Sequence, residues 1–274
     1  MAFKLTFIFR NLADSATITA SPALVAGLPE GNLKYQERNK TARSTSLAAQ
    51  TYQFSWTADQ NVDAIAVKGA NFTAAATLAA PTYSDSAFTT AIDANGAANC
   101  FAYTGFDAND ILADADFRIL KNSLRLLTNR TNVRSMKATI ADAANPDGYI
   151  EASRFYIGKS LELAYSVPFG GAILTVDDLS VQSVMDDGSI ITDKRAKRRK
   201  LELSAQYVDK TEWAALLAAF RYCGLDKDFF VSVSPGDGTA VEAYYQGGFK
   251  FAAPSAFDRH FPGGAQAKLT LIET

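Results

Sequence analysis

Apolar and polar residues alternate along much of this chain, with β-branched and aromatic side chains at the apolar positions. Residues 4–9, 51–56, 64–67, 135–140, 149–157 and 160–165 read as strands on this period of two. Turn formers stand between them: Gly31-Asn32, Gly69-Ala70-Asn71, Asn95-Gly96, and the run Asn145-Pro146-Asp147-Gly148. In that run Pro fixes φ and Gly accepts a positive one, which makes a strong turn. Short strands at this spacing predict a β-sandwich. Residues 74–100, rich in Ala, Thr, Ser and Asn, are weakly periodic and read as a long excursion or a pair of edge strands.

The pattern changes after residue 166. Val167-Pro168-Phe169-Gly170-Gly171 predicts a hinge, because Pro and Gly together cannot continue a central strand. Beyond it, residues 178–184, 189–192, 201–207, 229–233, 241–245, 249–251 and 267–273 read as strands. One helix interrupts them, over about residues 209–222. Asp209 and Glu212 fit an N-cap and a carboxylate at N3. Trp213, Leu216, Leu217 and Phe220 fall at i, i+3, i+4 and i+7, an apolar stripe that would pack on a sheet. Arg221 suits the negative end of the helix dipole, and Gly224 sits where a left-handed cap is wanted. The expected fold is mainly β: a jelly-roll β-sandwich at 1–166, then a β domain with one packed α-helix at 167–274. A chain of 274 residues favours two domains.

Composition narrows the function. With 48% hydrophobic and 20% charged residues, the chain can bury a core and is not disordered. The 27 basic residues nearly balance the 29 acidic ones, so the chain as a whole does not attract nucleic acid or an anionic membrane. No run approaches the roughly 20 apolar residues of a membrane span, and no leader is read at the start. The expectation is a soluble protein made in a reducing compartment. Cys100 and Cys223, far apart, read as small buried hydrophobes and not as a disulfide or a metal site.

Catalytic residue patterns are scarce. The one histidine, His260, sits in an aromatic and Pro-Gly context that reads as a turn or interface. There is no G-x-S-x-G elbow and no phosphate loop. Asp107, Asp110, Asp114 and Asp116 lack calcium-loop spacing and read as a solvated face or helix start. No catalytic residue, metal or cofactor is expected.

Two local features stand out. Residues 194–200 hold six cations in seven positions: Lys194, Arg195, Lys197, Arg198, Arg199 and Lys200. They read as a solvated hairpin arm, as a subunit contact against acidic neighbours, or as a nucleic-acid patch. The last is the least favoured, because no stacking aromatics are interleaved. On a strand, Lys194, Arg198 and Lys200 would share one face and Arg199 the other. Tyr52, Phe54 and Trp56 alternate on one strand and share a face, as a sandwich core or as a sugar-stacking platform.

Several segments resemble a jelly-roll module of tailed-phage virion proteins, itself similar to galactose-binding and discoidin-like domains. They are residues 11–24 (NLADSATITASPAL), Leu28-Pro29, Asn32-Leu33, the run ending Thr41-Ala42-Arg43-Ser44, and residues 63–72 (DAIAVKGANF). Residues 138–142 and 146–158 echo its return strands. Where such modules often carry Trp before the Arg-Ser pair, this chain has Ala42. The helix and the Phe-rich strand of the second half are similar in layout to small domains of tail-tip and distal-tail ring proteins. The resemblance implies a non-enzymatic structural protein of a phage tail tip or distal tail, made in the host cytoplasm and built into the virion. Its implied partners are other copies of itself in a ring, neighbouring tail proteins, and a host surface glycan. A head–tail connector or neck position, and a carbohydrate-binding or receptor-adhesion module, are the alternatives.

Overall fold

A computed structural model describes residues 4–100, 122–165, 167–168, 170–236, 240–253, 256–261 and 264–274, without the side chains of 240, 241, 256–261 and 264. Asp107, Asp110, Asp114, Asp116 and the side chain of His260 therefore lie outside the described residues. The fold is mainly β, antiparallel throughout its named pairings and jelly-roll-like, with one long helix packed on a sheet. That is the expected fold class.

Two eight-stranded sheets carry the structure. The first runs in the order Arg154–Gly158, Gln50–Lys68, Ser123–Ala141, Thr77–Ala79, Ala98–Asn99, with Thr17–Ser21 added on Gln50–Lys68. Residues 51–56 and 64–67, read as separate strands, belong to one 19-residue strand whose middle is bulged against Ser123–Ala141. Bulges let a long strand twist and wrap around its core. Inside lie Tyr52, Phe54, Trp56, Phe72, Met136, Ile140 and Phe155, all buried.

The second sheet runs Leu161–Glu162, Thr6–Ile8, Phe229–Ser232, Gln246–Phe251, Gly264–Glu273, Lys197–Val208, Ala172–Asp178. Two of its strands, Thr6–Ile8 and Leu161–Glu162, come from before residue 166. Phe7 pairs with Val231 and Leu161. Strand alternation gives the sheet two apolar faces. Phe7, Phe229, Phe249 and Phe251 point to the helix side, while Ile8 and Phe230 meet Ala64, Ala66 and Tyr156 of the first sheet. Burying one such Phe contributes about 1.5–3 kcal/mol.

The helix Lys210–Cys223 begins as its sequence dictates. The Asp209 carboxylate accepts from the N–H groups of Thr211 (2.7 Å) and Glu212 (2.8 Å), and Glu212 accepts from Asp209 N–H at 3.0 Å. Gly224 ends it at φ 54°, which favours glycine. Its buried side is Leu216, Ala219 and Cys223, flanked by Trp213 and Phe220. A second, short helix, Ala240–Tyr244, occupies residues read as a strand. The Glu242 side chain there accepts from Gly236 N–H at 2.9 Å, a local bond that favours a turned backbone over a ladder.

The seam between the sheets is polar and buried. Arg154 donates to Asp228 (2.8 Å) and Asp14 (3.0 Å), and Tyr156 donates its hydroxyl to Asp228 at 2.6 Å. Burial raises the Tyr156 pKa well above its ordinary value, and the Asp228 charge adds to this. Burial also raises Asp14, against the pull of Arg154. Further along, Lys68 donates to the Thr274 hydroxyl at 2.8 Å, and Arg38 stands 3.1 Å from Glu273.

Candidate functional site

The aromatic row is core. Tyr52 and Phe54 are 0% exposed and Trp56 is 5% exposed. The Tyr52 and Phe54 rings pack on Phe155 at 5.2 and 5.4 Å, and Trp56 Nε1 donates to the Leu12 carbonyl at 2.9 Å. A sugar cannot stack on rings that are closed over by a sandwich, so Tyr52, Phe54 and Trp56 are corrected as glycan-stacking candidates.

The basic run is largely neutralised by its own chain. Arg195 pairs with Asp193 (3.0 Å), Lys197 with Asp178 (4.0 Å), Arg198 with Asp177 (3.5 Å) and Lys200 with Glu202 (2.6 Å). Arg199 points the other way, as alternation required. Its guanidinium is buried 2.6 Å from Glu273 and donates to the carbonyls of Ala243, Tyr244 and Gln246. The burial of Glu273 opposes its charge, but Arg199 and Arg38 together outweigh this and hold its carboxyl below the ordinary value. Arg199 is a structural cation and is corrected as a subunit-contact residue. Lys194, Arg195, Lys197, Arg198 and Lys200 flank the base of a different feature.

That feature is a protruding β-arm. Ala172–Asp178 pairs with Lys197–Val208 at the sheet edge, and beyond it Val181–Val184 pairs with Ile190–Asp193. Each of these last two strands pairs only with the other among the described residues, and every residue in them is exposed. The tip turns at Met185-Asp186-Asp187-Gly188. Gly188 has φ 82° and donates its N–H to the Met185 carbonyl at 2.9 Å. Val184 is 73% exposed, Ile190 64%, Ile191 53% and Met185 47%. Opposite residues share a face, so Val184 and Ile190 lie on one side and Val181 and Ile191 on the other. Each face of the arm thus carries two exposed apolar side chains beside two polar ones, Gln182 and Thr192 on the first and Ser183 and Asp193 on the second. An isolated two-stranded hairpin is marginal in water, and this one leaves Val184, Ile190 and Ile191 exposed. Sequence reading took residues 178–184 as an ordinary strand. The tip Asp-Asp-Gly was legible, but alternation cannot tell a strand that faces a core from one that faces solvent.

Two depressions are also present. A cleft of about 130 Å³ is lined by Arg38, Thr41, Lys68, Asn71, Glu151 and Ser153. An open depression of about 500 Å³ is lined by Thr17, Ile18, Glu30, Lys34 and the half-exposed Tyr35. Among the described residues, no group of His, Cys, Asp and Glu is arranged to hold a metal, and no helix is long and apolar enough to cross a membrane. Cys100 and Cys223 are buried free thiols, both pushed up to about 12, chiefly by burial.

No protein-family model matches the sequence, and no curated protein does. Solved structures with a partial likeness include carbohydrate-binding modules and fucosidases. One is a chitosan-binding module of a chitosanase/glucanase from Paenibacillus sp. IK-5, 16% identical, covering 55% of this chain and 99% of that one at a TM-score of 0.37. Another is the CBM32-3 module of a family 31 glycoside hydrolase from Clostridium perfringens, 14% identical, covering 54% and 95% at 0.40. A third is the family 32 module of C. perfringens NanJ in complex with galactose, 10% identical, covering 57% and 99% at 0.38. At these scores the likeness is weak, and it assigns no ligand to this chain.

Proposed function

We propose that this chain is a non-catalytic assembly protein that docks onto other protein through the arm at residues 172–200. The observation that carries the reading is the hairpin Val181–Val184 and Ile190–Asp193, wholly exposed and with two apolar side chains on each face. Folding gains nothing from Val184 and Ile190 in the open. Covering them on a partner would remove their apolar surface from water at about 25 cal/mol per Å². The resemblance to tail-tip and distal-tail proteins of tailed phages supplies the proposed setting, a virion building block. Replacing Val184→Asp together with Ile190→Asp tests it. Assembly followed by light scattering should be lost while the unfolding midpoint stays where it was. Assembly that survives the double change, or turnover of peptidoglycan or capsule fragments by the purified chain, would remove this reading.

Carbohydrate binding is the second reading, and the depression at Tyr35 favours it. Sugar recognition needs an exposed ring for stacking and polar groups at its rim. Here Tyr35 is 53% exposed beside Glu30, Lys34 and Thr17. The volume falls in the roughly 300–1,000 Å³ range of ligand sites, whereas the Lys68 cleft is too small. Calorimetric titration with galactose and chitosan oligosaccharides, on the parent and on Tyr35→Ala, tests it. Binding that is equal in both, or absent from both, counts against the site.

A further inference from the structure

We propose that Tyr165 and Tyr207 form a cross-linking site, at which a one-electron oxidant, a peroxidase with hydrogen peroxide, joins the two rings as dityrosine. The site does not depend on what the arm docks onto.

The two rings stand with centroids 6.3 Å apart and planes at 60°. Tyr165 is 63% exposed and Tyr207 66%. Among the described residues, no other two tyrosine rings are in contact, and neither hydroxyl has a hydrogen-bond partner. Rotation of either side chain can therefore bring together the ring carbons beside the hydroxyls. Tyr52 and Tyr156 are closed to an oxidant by burial, and the exposed Tyr35 has no second tyrosine beside it.

The start of the helix Lys210–Cys223 holds both residues. Ala164 N–H donates to Glu212 Oε1 at 2.5 Å, which fixes the backbone just before Tyr165. Tyr207 stands two residues before the N-cap Asp209. In the strand Lys197–Val208, Arg199, Leu201, Leu203 and Ala205 face inward, so plain alternation would bury Tyr207 next. A bulge prevents this: Gln206 and Tyr207 together oppose the single residue Gln266, and Val208 takes the buried place. Tyr207 adopts a φ of 61° there, a left-handed backbone that aromatic residues rarely take. The strain goes into setting its ring in water beside Tyr165, and strain of this kind gathers at functional positions.

Exposure suits both phenols to oxidation, because an oxidant can reach them and water can accept their protons. Each gives up one electron and one proton and becomes a phenoxyl radical. The radicals combine through a new C–C bond between one Cε of each ring. Each bonded carbon then yields its hydrogen to its own ring's oxygen through solvent, which restores two phenols. Two electrons and two protons leave in all, and one hydrogen peroxide takes them up as two waters. The bond closes residues 165–207 into a ring that contains the whole arm at 172–200. It restricts the unfolded chain far more than the folded one, and so stabilises the base of the arm.

Treating the dilute full chain with a haem peroxidase and limiting hydrogen peroxide tests this. The product should be a monomer lighter by two hydrogen atoms, with dityrosine fluorescence. Digestion should give a linked peptide pair containing Tyr165 and Tyr207, and the product should melt higher than the untreated chain. Tyr165→Phe and Tyr207→Phe keep the ring but cannot form its radical, so each should lose the link. Tyr35→Phe should retain it. The changed side chains are exposed, and circular dichroism confirms that each variant folds. A parent that forms no link, a link found only between chains, or one that persists in either Tyr165→Phe or Tyr207→Phe overturns the proposal. So does a linked chain that melts lower than the untreated one, because the folded geometry would then have been broken to make the bond.

Discussion

Arg154 and Asp228 meet 2.8 Å apart at the seam between the two sheets, although 74 residues separate them in the chain. Their side chains are 2% and 1% exposed, and Asp228 also receives the Tyr156 hydroxyl. The pair ties the strand Arg154–Gly158 of the first sheet to the residue just before Phe229–Ser232 of the second. A buried charge without its partner costs far more than the intact pair contributes. Arg154 then keeps only the half-exposed Asp14 as a charged partner, so Asp228→Ala should lower stability by about 3 kcal/mol, the low end of the range for breaking such a pair. Asp228→Asn, which retains hydrogen-bonding atoms, should lose less. Urea unfolding of both variants measures this, and a loss under about 1 kcal/mol for the alanine variant would mean that water reaches the seam.

Trp56 provides a second test, one that separates core from binding surface. Its ring is buried and its Nε1 is bonded to the Leu12 carbonyl. Trp56→Ala should cost about 3–5 kcal/mol in stability, with any glycan affinity lost only as the fold is lost. Calorimetric melting of the variant decides it. A variant that melts with the parent but no longer binds sugar would restore Trp56 as a site.

The sequence exposed local determinants well and long-range ones poorly. The helix was legible because Asp209, Glu212 and Gly224 act within one or two turns of their own backbone. That Arg199 faces away from Arg198 and Lys200 was legible because strand alternation is local; that its face is the buried one was not. What Arg199 turns toward, Glu273, was not, since it lies 74 residues away. The strand within residues 4–9 was likewise visible, but its place beside Phe229–Ser232 was not. A period of two fixes which residues share a face and says nothing about what covers that face. Tyr52-Phe54-Trp56 and the arm show the two outcomes: the same alternation is closed over by a sandwich in one and left open to water in the other.

The helix cap should behave as an independent element. Asp209 satisfies the N–H groups of both Thr211 and Glu212, while Glu212 also accepts from Ala164 N–H at 2.5 Å. Asp209→Ala should cost about 1 kcal/mol, within the range of about 0.5–2 for such caps. Glu212→Ala should cost more, because Glu212 is buried and one of the N–H groups it releases, that of Ala164, ties the helix to another segment of the chain. Denaturant midpoints of the two variants test the order, and a reversed order would mean that the bond to Ala164 contributes nothing.

Lys68 should make stability depend on pH in a window set by its burial. Burial pushes its pKa down from 10.5 to about 7, against the pull of Asp228 and Glu273. The unfolded chain therefore binds a proton that the folded chain gives up, over the range between those two values. Stability should rise as pH climbs from about 7, by at most about 1.4 kcal/mol per pH unit, and should show no Lys68 slope below the folded value, where both states are protonated. Cys100 and Cys223 act in the opposite sense: their thiols are raised in the folded state, so the unfolded chain loses those protons first above about pH 9. The difference between the parent and Lys68→Met cancels the thiols and isolates the lysine. Between about pH 7.5 and 9.5 the unfolding free energy of the parent should rise relative to that of Lys68→Met, whatever the offset between the two proteins. Parallel lines for the two proteins would show that Lys68 stays protonated in the seam.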